Sequence, residues 1–414
     1  MERAVLVAAC HRVSEETEAS LGELALLADT AGAEAAATVV QQRSRFDPAT
    51  LVGKGKLSEL RAEVAAADAD LVVFDNELSP AQERNLSRAL GVRVLDRTAL
   101  ILDIFALHAH TREGKVQVEL AQHRYRLPRL RGRGVELSRL GAGIGTRGPG
   151  ETRLEVDQRR IRQRIATLRR ELESLTRSRR TKRRRRRRRH LPVVALVGYT
   201  NAGKSALLNA LTGSDATVED RLFATLDPTT RRLTLPQGRS VLVSDTVGFV
   251  RNLPHQLVEA FRSTLEEAAE ADLLLHVVDV AAPDPERRMR VVREVLGQIG
   301  AEEIPEVLVG NKIDIADTVE VERFRALWPD AVAVSALTGE GLDGLVQRLG
   351  VDAFRSTVDV ELTVPFSEGH LLGVIRSSAD VLSEEYTEAG TRLRARMPAG
   401  DLHLVAHLLE REAG

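Results

Sequence analysis

The stretch Leu191–Asn209, LPVVALVGYTNAGKSALLN, decides how the chain is read. It opens on a short apolar run, Val193 to Val197, which has the character of a buried strand. A tight loop follows, Gly198-Tyr199-Thr200-Asn201-Ala202-Gly203-Lys204-Ser205, and then a helical pattern carrying Leu207 and Leu208. Strand, glycine-bearing loop and helix in that order are the setting of a phosphate-binding loop. The glycines let the backbone turn tightly, so successive N–H groups point into one concavity, and the helix adds its N-terminal dipole there. In that setting Lys204 reaches the β- and γ-phosphates of a nucleotide and the Ser205 hydroxyl ligates Mg2+.

Downstream, further motifs stand in the order a guanine-nucleotide site requires. Asp245-Thr246-Val247-Gly248 follows the strand-like run Ser240 to Val243. Asp245 is placed to hold Mg2+ through a water, and the Gly248 N–H to meet the γ-phosphate. Asn311-Lys312-Ile313-Asp314 follows a second run, Glu306 to Val309. Asp314 can accept from guanine N1–H and the 2-amino group, a pair that adenine lacks, so a buried carboxylate left unpaired would penalise adenine. Asn311 braces the loop, the Lys312 stem covers the ring, and Ser335-Ala336 offers a backbone N–H to guanine O6. Between the phosphate loop and Asp245 lies LFATLDPTTRR, Leu222 to Arg232. Its Phe223, Ala224, Thr225 and Leu226 are assigned to the nucleotide. Thr225 is the threonine expected to complete the Mg2+ shell and sense the γ-phosphate, with Thr229 as the alternative. Lys204, Thr225 and Gly248 carry the catalytic expectation, and Ser205, Thr225 and Asp245 the metal.

Hydrolysis is less directly written. Phe249 follows Gly248, where many GTPases carry a glutamine that orients the attacking water. Phenylalanine cannot hydrogen-bond a water, so slow intrinsic turnover is expected, raised by a partner. Phe249 to Leu265 is the expected second switch, with Arg251, Asn252 and His255 as nearby candidates.

Ahead of this domain, strand-like runs at residues 4–8, 35–40, 71–74 and 92–95 alternate with helical patterns near 19–28, 56–67 and 79–90. That alternation predicts a small α/β domain with a mostly parallel sheet, ending near Leu107. Gly53-Lys54-Gly55-Lys56 could hold an anion but lacks phosphate-loop spacing, and a plain turn before a helix explains it as well.

Gly114 to Leu130 reads as a helix with Val116, Leu120 and Leu127 apolar. Residues 131–150 hold Gly141, Gly143, Gly145, Gly148 and Gly150 beside Arg147 and Pro149, with few apolar anchors, and predict a mobile loop. From Arg153 a second helix repeats Leu154, Ile161, Leu168 and Leu175 every seven residues, with Ile165 and Leu172 between them and Gln158 the polar exception. An antiparallel hairpin with the preceding helix is expected, and a homodimeric coiled coil is the alternative. Residues 153–189 hold 18 basic side chains against 4 acidic ones and close on eight consecutive cations, Lys182 to Arg189. Such a block points to a polyanion, nucleic acid before solvated linker.

Further strands are expected at residues 231–235, 271–279 and 332–334, and helices at 256–269, 285–299, 321–327 and 342–349. In the last segment Val360, Leu362 and Val364 alternate, residues 370–379 look helical and 402–409 strand-like. The whole reads as an α/β protein. Its P-loop GTPase domain (191–355) is flanked by an N-terminal α/β domain (1–107), a helical arm (108–190) and a small α+β domain (356–414).

The 414 residues carry 59 Lys and Arg against 60 Asp and Glu, a net charge of −1. No run of 18 apolar residues occurs, so no transmembrane helix is expected. Cys10 is the single cysteine, which rules out an internal disulfide and suits a reducing cytoplasm.

GYTNAGKS (198–205), LFATLDPTTR (222–231) and DTVGF (245–249) resemble the nucleotide motifs of the HflX family of ribosome-associated GTPases. TLVGKGK (50–56), VELAQHRYRLPRL (118–130) and GIGTRGPGET (143–152) resemble that family's N-terminal domain and arm. The likeness runs over essentially the whole chain. It implies binding to the large ribosomal subunit and intact ribosomes, and GTP-dependent splitting of stalled or idle ribosomes under heat or other stress. It also implies that the glycine loop and arm approach ribosomal RNA of the peptidyl transferase region, with Arg147 and Gly148-Pro149-Gly150 foremost. ATP binding and RNA remodelling by the N-terminal domain have been assigned in the family, a role for which the Gly53 to Lys56 segment is the candidate, although its spacing does not prove it. Ala206 departs from the family's usual threonine, and the arginine run is unusually long and pure. A GTP-switched RNA-binding factor in large-subunit assembly or silencing is the main alternative. A structural dimer through the Leu154 to Leu175 seam is a second. Peripheral contact with anionic lipid is a third, weakened by the lack of an apolar face beside the basic run. A cytoplasmic monomer is the expectation.

Overall fold

The computed structural model describes residues 1–130, 153–187, 191–214, 221–251, 254, 257, 261–355, 357–398, 402 and 405–406. The chain divides into two compact units. One comprises Met1–Ser174, Val218–Asp227 and Val247–Thr264; the other comprises Leu175–Thr217, Pro228–Thr246 and Leu265–Gly414.

The first unit is built on a sheet of four parallel strands, β1 (Glu2–Cys10), β2 (Ala33–Gln42), β3 (Leu71–Phe74) and β4 (Arg93–Asp96), in the order β2-β1-β3-β4. Helices α1 (Glu15–Thr30), α2 (Lys54–Ala66) and α3 (Pro80–Leu90) connect them. The boundaries of α3 follow from its sequence. Ser79 caps Gln82 in a reciprocal capping box, Pro80 enters at the first turn, and Gly91 ends the helix at φ 77°. Val5, Val7, Val72 and Phe74 are fully buried, as parallel strands covered by helices require.

Helix α4 (Arg97–His108) had no sequence signal of its own. Eight of its residues are buried, so its apolar pattern has no polar face to reveal a period. Its Arg97 is 1% exposed and pairs with Glu23 and with Asp75 at 2.6 Å.

Helix α5 (Arg112–Arg129) packs against α6 (Arg153–Arg187) as the hairpin reading predicts. Val116 and Leu120 of α5 bury Ile165 and Leu168 of α6, with Ile161 and Leu172 beside them. Arg112–Glu171 at 2.8 Å and Glu119–Arg164 at 2.6 Å run in opposite directions along the two helices, so the pair is antiparallel. The seam is therefore filled from within the chain, by the preceding helix that the hairpin reading names. The glycine loop and the end of the arginine run (188–190) lie outside the described residues.

The second unit carries a six-stranded sheet, β5 (Val193–Gly198), β6 (Thr230–Thr234), β7 (Ser240–Asp245), β8 (Leu273–Asp279), β9 (Glu306–Asn311) and β10 (Val332–Ala333), ordered β10-β9-β8-β5-β7-β6. Only β6 is antiparallel to its neighbour. Helices α7 (Lys204–Thr212), α8 (Arg262–Ala269), α9 (Pro285–Gln298), α10 (Thr318–Leu327) and α11 (Leu342–Asp352) complete the domain. Strand β5 lies inside the sheet, with Val194, Ala195, Leu196 and Val197 all at 0% exposure. The last piece is an antiparallel sheet of β11 (Thr357–Val364), β12 (Asp380–Thr387) and β13 (Gly390–Pro398), with α12 (His370–Ser378) against it. The expected strand over 402–409 falls mostly outside the described residues, and Leu402 and Val405 pack on this sheet's core without being in a strand.

Candidate functional site

Parallel pairing collects the motif residues at one edge of the six-stranded sheet. The register sets Leu196 beside Asp245, Gly198 beside Val277 and Asp279 beside Asn311. The carboxyl ends of β5, β7, β8 and β9 thus release their loops together, where ligands of open α/β sheets bind.

The loop Gly198 to Ser205 is shaped by its residue types. A side chain on Gly203, at φ 86°, would strike the Asn311 amide, and one on Gly198 would strike the Val277 carbonyl. Asn201 sits at φ 59°, a conformation asparagine tolerates better than most residues. Asn311 is 1% exposed and ties the two ends of the site together: its Nδ2 donates to Ala202 O at 2.9 Å, and its Oδ1 accepts from Ala336 N at 3.0 Å. Lys312 pairs with Asp279 at 2.9 Å. Ser335 is fully buried and its Oγ accepts from Thr338 N at 3.0 Å, which fixes the loop bearing Ala336. Asp314 is exposed, its carboxylate open to a ligand.

Lys204 opens α7 and is 6% exposed. Its Nζ donates to the carbonyls of Tyr199 at 2.9 Å and Gly198 at 3.2 Å, curling over the loop. Burial pulls its pKa down to about 8, and the Asp245 charge only partly offsets this. Ser205 Oγ donates to Asp245 Oδ2 at 2.5 Å, and Asp245 is 2% exposed. A hydroxyl and a carboxylate side by side at the end of a phosphate loop are hard oxygen donors that fit Mg2+, an ion that takes few protein ligands beside water and phosphate. Thr246 fixes the next turn by donating from Oγ1 to Leu196 O at 2.6 Å. Beyond the motifs, Arg288 of α9 lies 5.2 Å over the ring of Tyr199, a contact no spacing rule announces.

The remaining expected residues group with the first unit. Phe223 is 2% exposed and Leu226 2%, Ala224 and Thr225 are half-buried, and Val247 and Gly248 are buried. Phe249 is 1% exposed, packed away where no water could be oriented by it. Arg251 is half-buried, while Asn252 and His255 lie outside the described residues. Gly53, Lys54, Gly55 and Lys56 open α2 as the plain reading has it. The Gly53 N–H donates to Gln41 Oε1 at 2.9 Å and Lys56 pairs with Glu59 at 2.7 Å, so these groups serve the domain's own frame and give an ATP site no support. No helix among the described residues is long and apolar enough to cross a membrane.

Three family models match the chain in succession: a GTP-binding GTPase N-terminal region over residues 18–106, a GTP-binding GTPase middle region over 108–186, and a 50S ribosome-binding GTPase over 193–312. Among similar proteins is the GTPase HflX of Caldanaerobacter subterraneus subsp. tengcongensis, 50% identical over 396 residues, covering 96% of this chain and 91% of the relative. The GTPase HflX of Escherichia coli (strain K12) is 43% identical over 403 residues, covering 97% and 94%. A crystal structure of a GTP-binding protein from the archaeon Sulfolobus solfataricus in complex with GDP is 27% identical, with a TM-score of 0.44 over 86% of this chain and 99% of that one.

Proposed function

The chain belongs to the HflX family of GTPases, and on that premise we propose that it binds the large ribosomal subunit and intact ribosomes and uses GTP to part stalled or idle ribosomes into subunits under heat or other stress. It hydrolyses GTP to GDP and phosphate. The observation that carries the reading is the cradle formed by Lys204, Ser205, Asp245 and Asn311, in a chain matched along three successive regions by GTPase models, one of them a 50S ribosome-binding GTPase.

In this reading the triphosphate replaces the two carbonyls that Lys204 Nζ meets, so the lysine's charge is spent on the β- and γ-oxygens. Backbone N–H groups of residues 201–205 converge on the same oxygens with the α7 dipole behind them. Ser205 and Asp245, with Thr225, hold Mg2+, which neutralises charge on the phosphates when bound. The Gly248 N–H meets the γ-phosphate. Asp314 reads guanine N1–H and the 2-amino group, Ala336 N–H reads O6, and Asn311 holds both loops to the phosphate loop. Phe249 supplies nothing to the attacking water, so the intrinsic rate is low and the large subunit raises it. The glycine loop and the basic arm meet ribosomal RNA, and the protein acts as a cytoplasmic monomer.

The test is GTP turnover with and without purified large subunits, at low and moderate salt. Stimulation of at least about a hundredfold supports the reading, since activating partners of GTPases reach such factors. An unchanged rate at both salts would sink the ribosomal assignment and leave a GTPase with a basic arm.

A further inference from the structure

The turn that opens α5 holds a carboxylate from far along the chain. Thr111 caps α5, its Oγ1 accepting from Gly114 N at 3.0 Å. Asp227 sits on the same turn. Its Oδ2 accepts from Thr111 N at 2.7 Å and His110 N at 2.8 Å, and its Oδ1 from the Thr111 hydroxyl. An acidic group is favoured there by the helix dipole. Gly114 makes the room: a side chain at that position would collide with Asp227 Oδ1. Nothing about α5 itself calls for glycine, the poorest helix former but proline, at its third position. The seat is built for Asp227.

The same corner grips the other end of the segment. Leu222 N donates to Thr30 Oγ1 at 3.3 Å. Phe223 takes φ 59°, a costly backbone for an aromatic residue, and its ring meets Phe105 of α4 edge-on at 4.7 Å. Phe105 also meets Phe261, from the second switch stretch, at 4.5 Å. Thr225 lies midway between the two anchors, two residues from each, and Pro228 stiffens the chain just beyond.

We propose that Asp227, seated on the Thr111–Gly114 turn, is a positioning residue for GTP: it confines Thr225 to a short arc, so this seat sets how strongly the protein prefers GTP over GDP. This rests on the reading of Thr225 as the γ-phosphate-sensing threonine. A segment tied at both ends has little freedom left to lose when GTP orders it, and pre-ordering a loop raises affinity for the ligand that needs it. GDP has no γ-phosphate and gains little. Coupling of this kind is reciprocal, so GTP must in turn tighten the Asp227 seat.

The experiment uses the full chain and four variants, Gly114→Ala, Asp227→Asn, Thr225→Ala and, as a control in α1, Gly22→Ala, where an added methyl meets nothing. Affinities for GDP and a non-hydrolysable GTP analogue are measured at equilibrium. Gly114→Ala and Asp227→Asn are expected to lower the GTP-over-GDP preference about tenfold, as Thr225→Ala does, with Gly22→Ala unchanged. Alanine's helix preference offsets only part of the lost Asp227 contacts, so affinities are compared well below each variant's thermal midpoint, and a GDP affinity that stays unchanged separates lost positioning from lost folding. In the unaltered protein the GTP analogue should slow hydrogen exchange at the His110 and Thr111 amides relative to GDP. An unchanged preference in Gly114→Ala and Asp227→Asn, while Thr225→Ala loses it, would overturn the positioning role and leave the Thr225 reading standing. A preference that rises in the two variants would equally overturn it, since the seat would then hold Thr225 away from the nucleotide. If Thr225→Ala keeps its preference, the reading of Thr225 fails and the proposal falls with it.

Discussion

Burial sets the proton chemistry of Lys204, the lysine of the phosphate loop. Desolvation lowers its pKa from 10.5 to about 8. Between those values the unfolded chain holds a proton that the folded free protein lacks, so this residue's contribution to stability rises with pH from about 8 to 10.5 and is unfavourable below. A bound triphosphate favours the charged lysine. Nucleotide binding near pH 9 should therefore take up a proton, and affinity should fall as pH rises above about 8. Titration calorimetry in buffers of different ionisation enthalpy reads the uptake directly; binding heats that ignore the buffer would mean the lysine is already charged. Asp314→Asn tests the base reading. It replaces an acceptor that matches guanine with a donor that matches the C2 carbonyl of xanthine. GTP affinity should fall at least about tenfold and XTP affinity should rise, both read by competition binding. These residues were legible because their chemistry lies in short motifs: lysine and serine close a glycine loop, and Asp245, Asn311 and Asp314 follow apolar strand runs. Asp227 and Gly114 were not. They stand 113 positions apart, and only the folded first unit joins them.

At the scale of elements, the α5–α6 hairpin was readable because its heptads leave a stripe of Ile161, Ile165, Leu168 and Leu172 on an otherwise charged helix. Leu168 is at 0% exposure, and Leu168→Ala should cost about 2–5 kcal/mol, seen as a lower denaturation midpoint. A midpoint within error of the unaltered protein would mean that the hairpin does not share the folding unit of the sheet. Two kinds of element escaped the sequence. Helix α4 is buried nearly all round, so no period distinguishes it from a strand run. Strands β12 and β13 are masked by charge: Arg392, Arg394 and Arg396 alternate with Leu393, Ala395 and Met397. The inward residues are all at 0% exposure, and Arg396 pairs with Asp359 at 2.6 Å across to β11. Strict alternation ending in a Gly390 turn was the available signal, hidden by the density of arginine.

For the whole molecule, the proposed function directs GTP chemistry at the Lys204–Asp245 cradle towards the ribosome. The eight cations from Lys182 to Arg189 make one prediction at this scale. Binding to large subunits should weaken steeply with salt, each neutralised phosphate adding about one unit, or somewhat less, to the logarithmic salt slope. Replacing Arg183–Arg187 by glutamine should flatten that slope in a sedimentation binding assay; a slope that stays the same would assign the contact to other surfaces. Light scattering of intact ribosomes mixed with the protein and GTP, GDP or no nucleotide decides whether the ribosome is parted. Scattering should fall with GTP, and should not fall with GDP or in Lys204→Ala. Scattering that stays level with GTP while large subunits still stimulate hydrolysis would contradict splitting, and would point to a GTP-switched factor that binds the large subunit without parting the ribosome.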